Sequence, residues 1–226
     1  MFSDPAESDA DLIITTADGV NFHLHSAVLL AQSDNLFNYI LVPRAEDAAW
    51  RDGLLLFAVS DSAEVFTLVM CALYALPYAD YDPAFCTLDT AVDAMRTYGL
   101  DVPALAANGT PLFALLLAHA PHHGLPLYAL AAHHGLDALA VAASTHLLAF
   151  PLSDIDDEVA ARIGPVYLKR LFFMHLGRAE ALRRLLLPPL LPHPATEECG
   201  AAQQLPLVRA WALGASSIVW DSRGGA

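Results

Sequence analysis

The stretch that decides the fold is "DLIITTADGVNFHLHSAVLLAQSDNLF", from Asp11 to Phe37. Residues 12–14 form an apolar, β-prone run. The Ala-Asp-Gly sequence at 17–19 suits a tight hairpin turn, because Asp and Gly tolerate positive φ. Apolar and polar residues then alternate over 20–25, which is the period of a half-buried strand. The stretch therefore opens with a predicted β-hairpin.

Two short helices are predicted directly after the hairpin. Ser26 can cap the first helix, and Ser33 with Asp34 can cap the second, which we expect over 34–41. The polar residues that follow, 43–53, predict a loop.

The rest of the chain is predicted to be largely helical after one more strand. Residues 54–59 are continuously apolar and predict a strand, and apolar residues at helical spacing predict helices after Ser62 and over 88–100. Further helices are predicted at 103–107, 111–120, 126–134, 136–149, 154–163, 165–187 and 207–219. The predicted fold class is therefore α+β at first, followed by an all-α part.

The acidic charge lies almost entirely in the first half of the chain. The formal net charge is −14, and residues 1–101 hold 16 acidic residues against three arginines. Phosphate backbones and anionic lipids select basic surfaces, so we expect no binding to nucleic acid or membranes. Breakers such as Pro121, Gly124 and Pro126 interrupt the apolar region 111–152, so we expect no transmembrane span there.

The cysteines and the N-terminus both predict an intracellular location, in the cytoplasm or the nucleus. Cys71, Cys86 and Cys199 are an odd and scattered set, which predicts neither a disulfide framework nor a metal-binding spacing. The first ten residues, "MFSDPAESDA", contain neither a basic n-region nor an apolar h-region, so no signal peptide is expected.

The predicted order of elements resembles the BTB/POZ domain, a small three-stranded sheet with flanking helices. The residues that carry the likeness in the first stretch are Asp11, Phe22, His25, Val28, Leu29, Ser33 and Phe37. Residues 54–75, "LLLFAVSDSAEVFTLVMCALYA", and 91–100, "AVDAMRTYGL", look like the following strand and helices of that family. The likeness covers about half of the chain.

The second half is similar to the helical extension of a group of fungal BTB proteins. The residues concerned are "PLYALAAHHGLDALAVAASTHLLAFPLSDID", 126–156. We therefore expect a BTB/POZ domain over 8–100 and a helical extension over 101–187. A Pro-rich segment with a short C-terminal helix is expected over 188–226.

The resemblance implies a non-catalytic module for protein–protein interaction, a scaffold that forms a homodimer. The residues expected to mediate self-association are Val28, Leu29, Phe37, Ile40 and Leu41. Some members of the family dock a cullin and act as substrate adaptors for a ubiquitin ligase, and others are transcription cofactors. Both functions remain open as alternatives, although residues 102–120 lack the acidic residue that cullin-binding relatives often carry there.

Histidines raise the alternative of a metal-binding enzyme. His25 precedes the first helix, where the family's histidine is part of the fold, so we expect a structural role. The histidine group at 119–134 consists of His119, His122, His123, His133 and His134. Neighbouring histidines point to different sides of a helix and no cysteine lies nearby, so we expect no metal site and no cofactor.

Overall fold

The computed structural model describes residues 10–42, 49–51, 54–78 and 82–221. The chain divides into two compact units between Ala142 and Ala143. The first unit is mixed α+β and the second, within its described residues, is helical. In the described residues the strands come first in the chain and the helices from Ala63 onward follow them, as the predicted α+β class requires, whereas the predicted domain bounds of 8–100, 101–187 and 188–226 stay predictions.

The sheet of the first unit has a hairpin at one edge. β1 (Leu12–Thr15) pairs antiparallel with β2 (Asn21–Leu24) and parallel with β4 (Leu54–Ala58). At the predicted turn, Gly19 has φ +80°, and its N–H donates to the carbonyl of Thr16 over 2.9 Å. The predicted hairpin is confirmed, together with the strand at 54–59.

A fourth, short strand extends this three-stranded sheet at the other edge. β3 (Ala49–Arg51) pairs antiparallel with β4, so the strand order is β2-β1-β4-β3. The prediction of a loop over all of 43–53 is wrong at 49–51, because the edge of β4 offers backbone partners that a local pattern does not reveal. Residues 43–48 and 52–53 lie outside the described residues.

The second predicted helix does not form. α1 (Ser26–Gln32) is present, but residues 34–41 form turns, with φ between +54° and +59° from Leu36 to Tyr39. Side-chain hydrogen bonds hold this turn: the N–H of Phe37 donates to Ser33 Oγ over 2.7 Å, and the N–H of Asn38 donates to Asn35 Oδ1 over 2.7 Å. Such side-chain acceptors compete with the backbone hydrogen bonds of a helix.

Two long helices cover the core of the first unit. α2 (Ala63–Leu73) begins at Ser62, whose hydroxyl accepts from the N–H of Val65. The carboxylate of Asp18, from the hairpin turn, also accepts from the N–H of Ala63 at 3.0 Å. α3 (Phe85–Thr97) ends beside Tyr98, which is 3% exposed. Both predicted helices are confirmed, with boundaries shifted by a few residues.

Four aromatic rings form the centre of this core. Phe37 stacks on Tyr98 with ring centroids 4.2 Å apart and planes 7° apart. Phe66, from α2, meets both rings edge-on at centroid distances of 6.3 and 6.1 Å, and Phe22 packs on Phe66 at 4.9 Å. The cluster joins β2, the turn after α1, α2 and the end of α3.

The remaining helices of the first unit are joined by short connections. They are α4 (Val102–Leu105), α5 (Pro111–Ala118), α6 (Ala120–His133) and the start of α7 (Asp137–Ser144), which crosses the division between the units. Asp101 and Thr110 cap α4 and α5 through their side-chain oxygens. These positions agree with the predicted helices at 103–107, 111–120, 126–134 and 136–149, apart from shifted boundaries.

The second unit contains two long helices. α8 (Asp157–Leu186) is kinked at Gly164, which has φ +73° and precedes Pro165, where the sequence predicts a break. α9 (Ala201–Asp221) is longer than the predicted 207–219, and residues 188–200 between the two helices are irregular. Within the described ranges, no helix has the length and apolar character needed to cross a lipid bilayer.

We predict that Phe37→Ala lowers the free energy of unfolding by about 3–5 kcal/mol, because it removes a buried aromatic ring from the centre of the core. Tyr39→Ala is the matched control: it lies in the same turn with a similar φ, but Tyr39 is 68% exposed whereas Phe37 is fully buried. The control should cost about 0.5 kcal/mol or less. Urea unfolding measures both, and equal losses would contradict the described core.

Candidate functional site

The junction between β2 and α1 is held by a carboxylate. Asp11 accepts a hydrogen bond from the N–H of Ser26 at 2.7 Å and a second one from the Ser26 hydroxyl. Burial by itself raises the pKa of Asp11, but these hydrogen bonds and the nearby His25 together lower that pKa below its usual value. Ser26 therefore binds Asp11 and does not cap α1, whose N-cap residue is His25.

His25 lies at the same junction and contacts Tyr74 at the end of α2. The backbone N–H of His25 donates to the Tyr74 hydroxyl at 3.2 Å, and the ring Nδ1 lies 3.2 Å from the same oxygen. With Nδ1 unprotonated, the hydroxyl accepts one hydrogen bond and donates the other. Burial raises the pKa of Tyr74, so this hydroxyl keeps its proton. These contacts favour the structural role expected for His25.

The residues predicted to mediate self-association are not all on the surface. Leu29 and Phe37 are fully buried in the core, so the prediction that they contact a second copy is wrong for the chain in this conformation. Val28, Ile40 and Leu41 are half-buried.

Other apolar side chains of the same segment are exposed. Leu30 is 41% exposed, Leu36 is 43% exposed and Tyr39 is 68% exposed. The predicted self-association residues did not include these three: the turn presents Leu36 and Tyr39 in place of the expected helical face over 34–41, and Leu30 lies on α1. The candidate self-association surface is therefore Val28, Leu30, Leu36, Tyr39, Ile40 and Leu41.

The helices of the second unit expose many more large apolar side chains. Along α8 and α9 the buried residues are Ile163, Leu171, Ala215 and Val219. The exposed large apolar residues of these two helices are Val166, Phe172, Phe173, Leu176, Leu185, Leu205, Leu207, Trp211, Leu213, Ile218 and Trp220. Exposed apolar surface of this extent is typical of interaction sites.

The histidine group at 119–134 separates into two sets, with exposed His122 outside both. His119 and His123 lie beside Phe85, and the ring of His123 stacks on Phe85 with centroids 4.9 Å apart. This first set is thus involved in aromatic packing. His133 and His134 form the second set at the end of α6, with ring centroids 5.0 Å apart.

An aspartate from α3 joins the second set. His134 Nε2 lies 2.7 Å from a carboxylate oxygen of Asp93, and one ligand atom from each of Asp93, His133 and His134 lies within 4.8 Å of the others. The sequence analysis missed this group because Asp93 is remote along the chain. His134 is the C-cap residue of α6, and its ring centroid lies 5.0 Å from that of His133, so the two neighbouring histidines do not diverge. Imidazole and carboxylate are ligand types for zinc.

Comparison with models of known protein families gives no match, and comparison with curated proteins gives no match either. The BTB/POZ resemblance therefore stays a prediction.

We predict that His25→Ala lowers the free energy of unfolding by about 1–3 kcal/mol, because the Tyr74 hydroxyl loses the imidazole, one of its two partners at the junction, and keeps only the backbone N–H of residue 25. His23→Ala is the matched control, since His23 lies on β2, two residues before His25, with an exposed side chain. The control should change stability by less than about 0.5 kcal/mol. Thermal and urea unfolding check both variants. A structural role is excluded if His25→Ala unfolds like the wild type.

Proposed function

We propose that this protein is a non-catalytic protein–protein interaction module that forms a homodimer and acts as a scaffold, in the manner of a BTB/POZ protein. The observation that carries the proposal is the large apolar surface of the helices, above all the exposed Phe, Leu and Trp residues of α8 and α9. Solvent-exposed aromatic and leucine side chains in such numbers favour contact with another protein.

The distribution of charge supports a second copy as the partner of the self-association surface. The first half of the chain is strongly acidic, so most approaches between two copies bring like charges together. Residues 26–41 are different, because Asp34 is the only charged residue among them. Two copies can therefore meet through this segment with little electrostatic repulsion.

The self-association surface contains a residue type that often dominates binding. Tyr39 is 68% exposed, with exposed Leu30 and Leu36 in the same segment. Tyrosine is enriched among the residues that contribute most to interface affinity. A stable interface buries about 800 Å² on each partner. The half-buried Val28, Ile40 and Leu41 are expected to contribute to that area.

The helices α8 and α9 form the surface proposed for other protein partners. Trp211 and Trp220 lie on α9, and Phe172 and Phe173 lie on α8. Lys169 lies over the ring of Phe173 at 5.7 Å from its centroid, and Arg170 lies over Tyr167 at 4.8 Å. This surface thus combines aromatic rings with positive charge, which suits an apolar partner segment that carries acidic residues.

An intracellular location is part of the proposal. Cys71, Cys86 and Cys199 are free thiols, and a reducing compartment preserves them. The alternative functions as a cullin adaptor or as a transcription cofactor stay predictions. In the portion of the chain that the structure describes, no contact or charge pattern favours either one over a plain scaffold.

We predict that the wild-type protein is a dimer at tens of micromolar, and that replacing Leu30 and Tyr39 together with Glu weakens the dimer at least about tenfold, or 1.4 kcal/mol. Two carboxylates on each copy would then face each other in an apolar contact. Sedimentation velocity over a concentration series measures the dissociation constant.

The matched control replaces Leu207 and Leu213 on α9 with Glu, since these residues are 59% and 75% exposed. This variant carries the same added charge and should keep the wild-type dissociation constant. A wild-type protein that stays monomeric at about 100 μM would reject self-association. A control variant that dissociates as strongly as the first would assign the contact to the second unit.

A further inference from the structure

We propose that Asp93, His133 and His134 bind one divalent transition-metal ion, with zinc as the ion best suited to them. Two imidazoles and one carboxylate are a common set of protein ligands at open zinc sites. The three candidate ligand atoms lie within 4.8 Å of one another. This inference concerns a site in the first unit and is independent of the proposed self-association.

The distances between the three ligand atoms require only a small movement of side chains before an ion can bind. Zinc lies about 2.0–2.2 Å from nitrogen and oxygen ligands, so tetrahedral ligand atoms are about 3.3 Å apart. The contact between His134 Nε2 and Asp93 is shorter than this, at 2.7 Å, and the widest pair in the group is separated by up to 4.8 Å. A shift of roughly an ångström by two side chains brings all three ligand atoms to one ion.

The two side chains that must move toward His134 are those of Asp93 and His133, and both are exposed. The side chain of His134 is 1% exposed and its position is set by packing. The side chain of Asp93 is 50% exposed, and His133 is exposed as well. One fixed ligand and two adjustable ligands can close around an ion without disturbing the core.

A purely structural role explains His134 only in part. Its Nε2 faces Asp93, but its Nδ1 is buried and has no hydrogen-bond partner among the described residues. A buried polar atom without a partner is destabilising, so packing alone does not account for a histidine at this position. The 2.7 Å contact of Nε2 with Asp93 does not involve His133, whereas an ion held by Nε2 and the Asp93 carboxylate would also use the neighbouring His133 ring.

The surroundings suit an open site of moderate affinity. His133 and His134 line a groove of about 780 Å³, and Asp93 lines a second groove of about 460 Å³. Three protein ligands leave a fourth position for water or for a small ligand from a groove. Arg96 lowers the expected affinity, because its guanidinium donates to the carbonyl of His133 over 3.4 Å and adds positive charge beside the ligands.

Calorimetric titration of the full-length, tag-free protein with zinc ion tests the inference. We expect one ion per chain, and binding at least about tenfold weaker in His133→Ala and in Asp93→Asn. His122→Ala is the matched control, because it removes an exposed histidine of the same helix outside the group. The control should bind zinc within about twofold of the wild type.

Cobalt ion provides a second readout that does not depend on affinity alone. The visible absorption of bound cobalt should show four-coordinate geometry in the wild type and in His122→Ala. The absorption typical of four-coordinate cobalt should be lost in His133→Ala. Circular dichroism and thermal unfolding without metal establish that each variant is folded. His133 is exposed, so its variant keeps the test valid even if Asp93→Asn unfolds.

Two results would overturn the inference. One is zinc binding that is equally strong in the wild type and in His133→Ala. The other is a loss in His122→Ala as large as that in His133→Ala, which would indicate adsorption by dispersed surface histidines. Neither result affects the proposed self-association, which has its own measurement.

Discussion

The first unit depends on the contacts of one residue, Tyr98 at the end of α3. Its ring stacks on Phe37, its carbonyl accepts from the Ser33 hydroxyl at 2.7 Å, and its own hydroxyl donates to Asp61 before α2. Burial, together with the hydrogen bond to Asp61 and the negative charge of that carboxylate, raises the pKa of Tyr98 far above its usual value. The phenol therefore stays protonated and connects three segments that are distant in sequence.

The next residue, Gly99, makes this arrangement possible. It has φ +72°, and a Cβ atom at this position would collide with the side chains of Asp34 and Asn35. The carbonyl of Gly99 also accepts from the N–H of Asp34 at 2.9 Å. The turn after α1 is thus held against the end of α3 by backbone as well as side chains. As a result, the turn buries Phe37 and leaves Tyr39 exposed on the proposed self-association surface.

Short sequence patterns predicted the parts of the fold that interactions between neighbouring residues determine. Alternating apolar and polar residues predicted the strand that follows the hairpin turn at Gly19, and a continuous apolar run predicted β4. Glycine beside proline predicted the break at Gly164. The turn at 34–41 was not predictable in this way, since its capping residues and apolar spacing also suit a helix. What decides its conformation is the packing of Phe37 on Tyr98, a contact across 61 positions of sequence. Asp93 was missed as a partner of His134 for the same reason.

A double-mutant cycle tests most directly whether the stack of Phe37 on Tyr98 holds the turn after α1 against the end of α3. Urea unfolding of Phe37→Leu, Tyr98→Leu and the combined variant should give a coupling energy of about 0.5–1.5 kcal/mol. The same cycle between exposed Tyr39 and Tyr98 should give additive losses within about 0.3 kcal/mol. Additive losses for Phe37 and Tyr98 as well would contradict the described stack and the turn built on it.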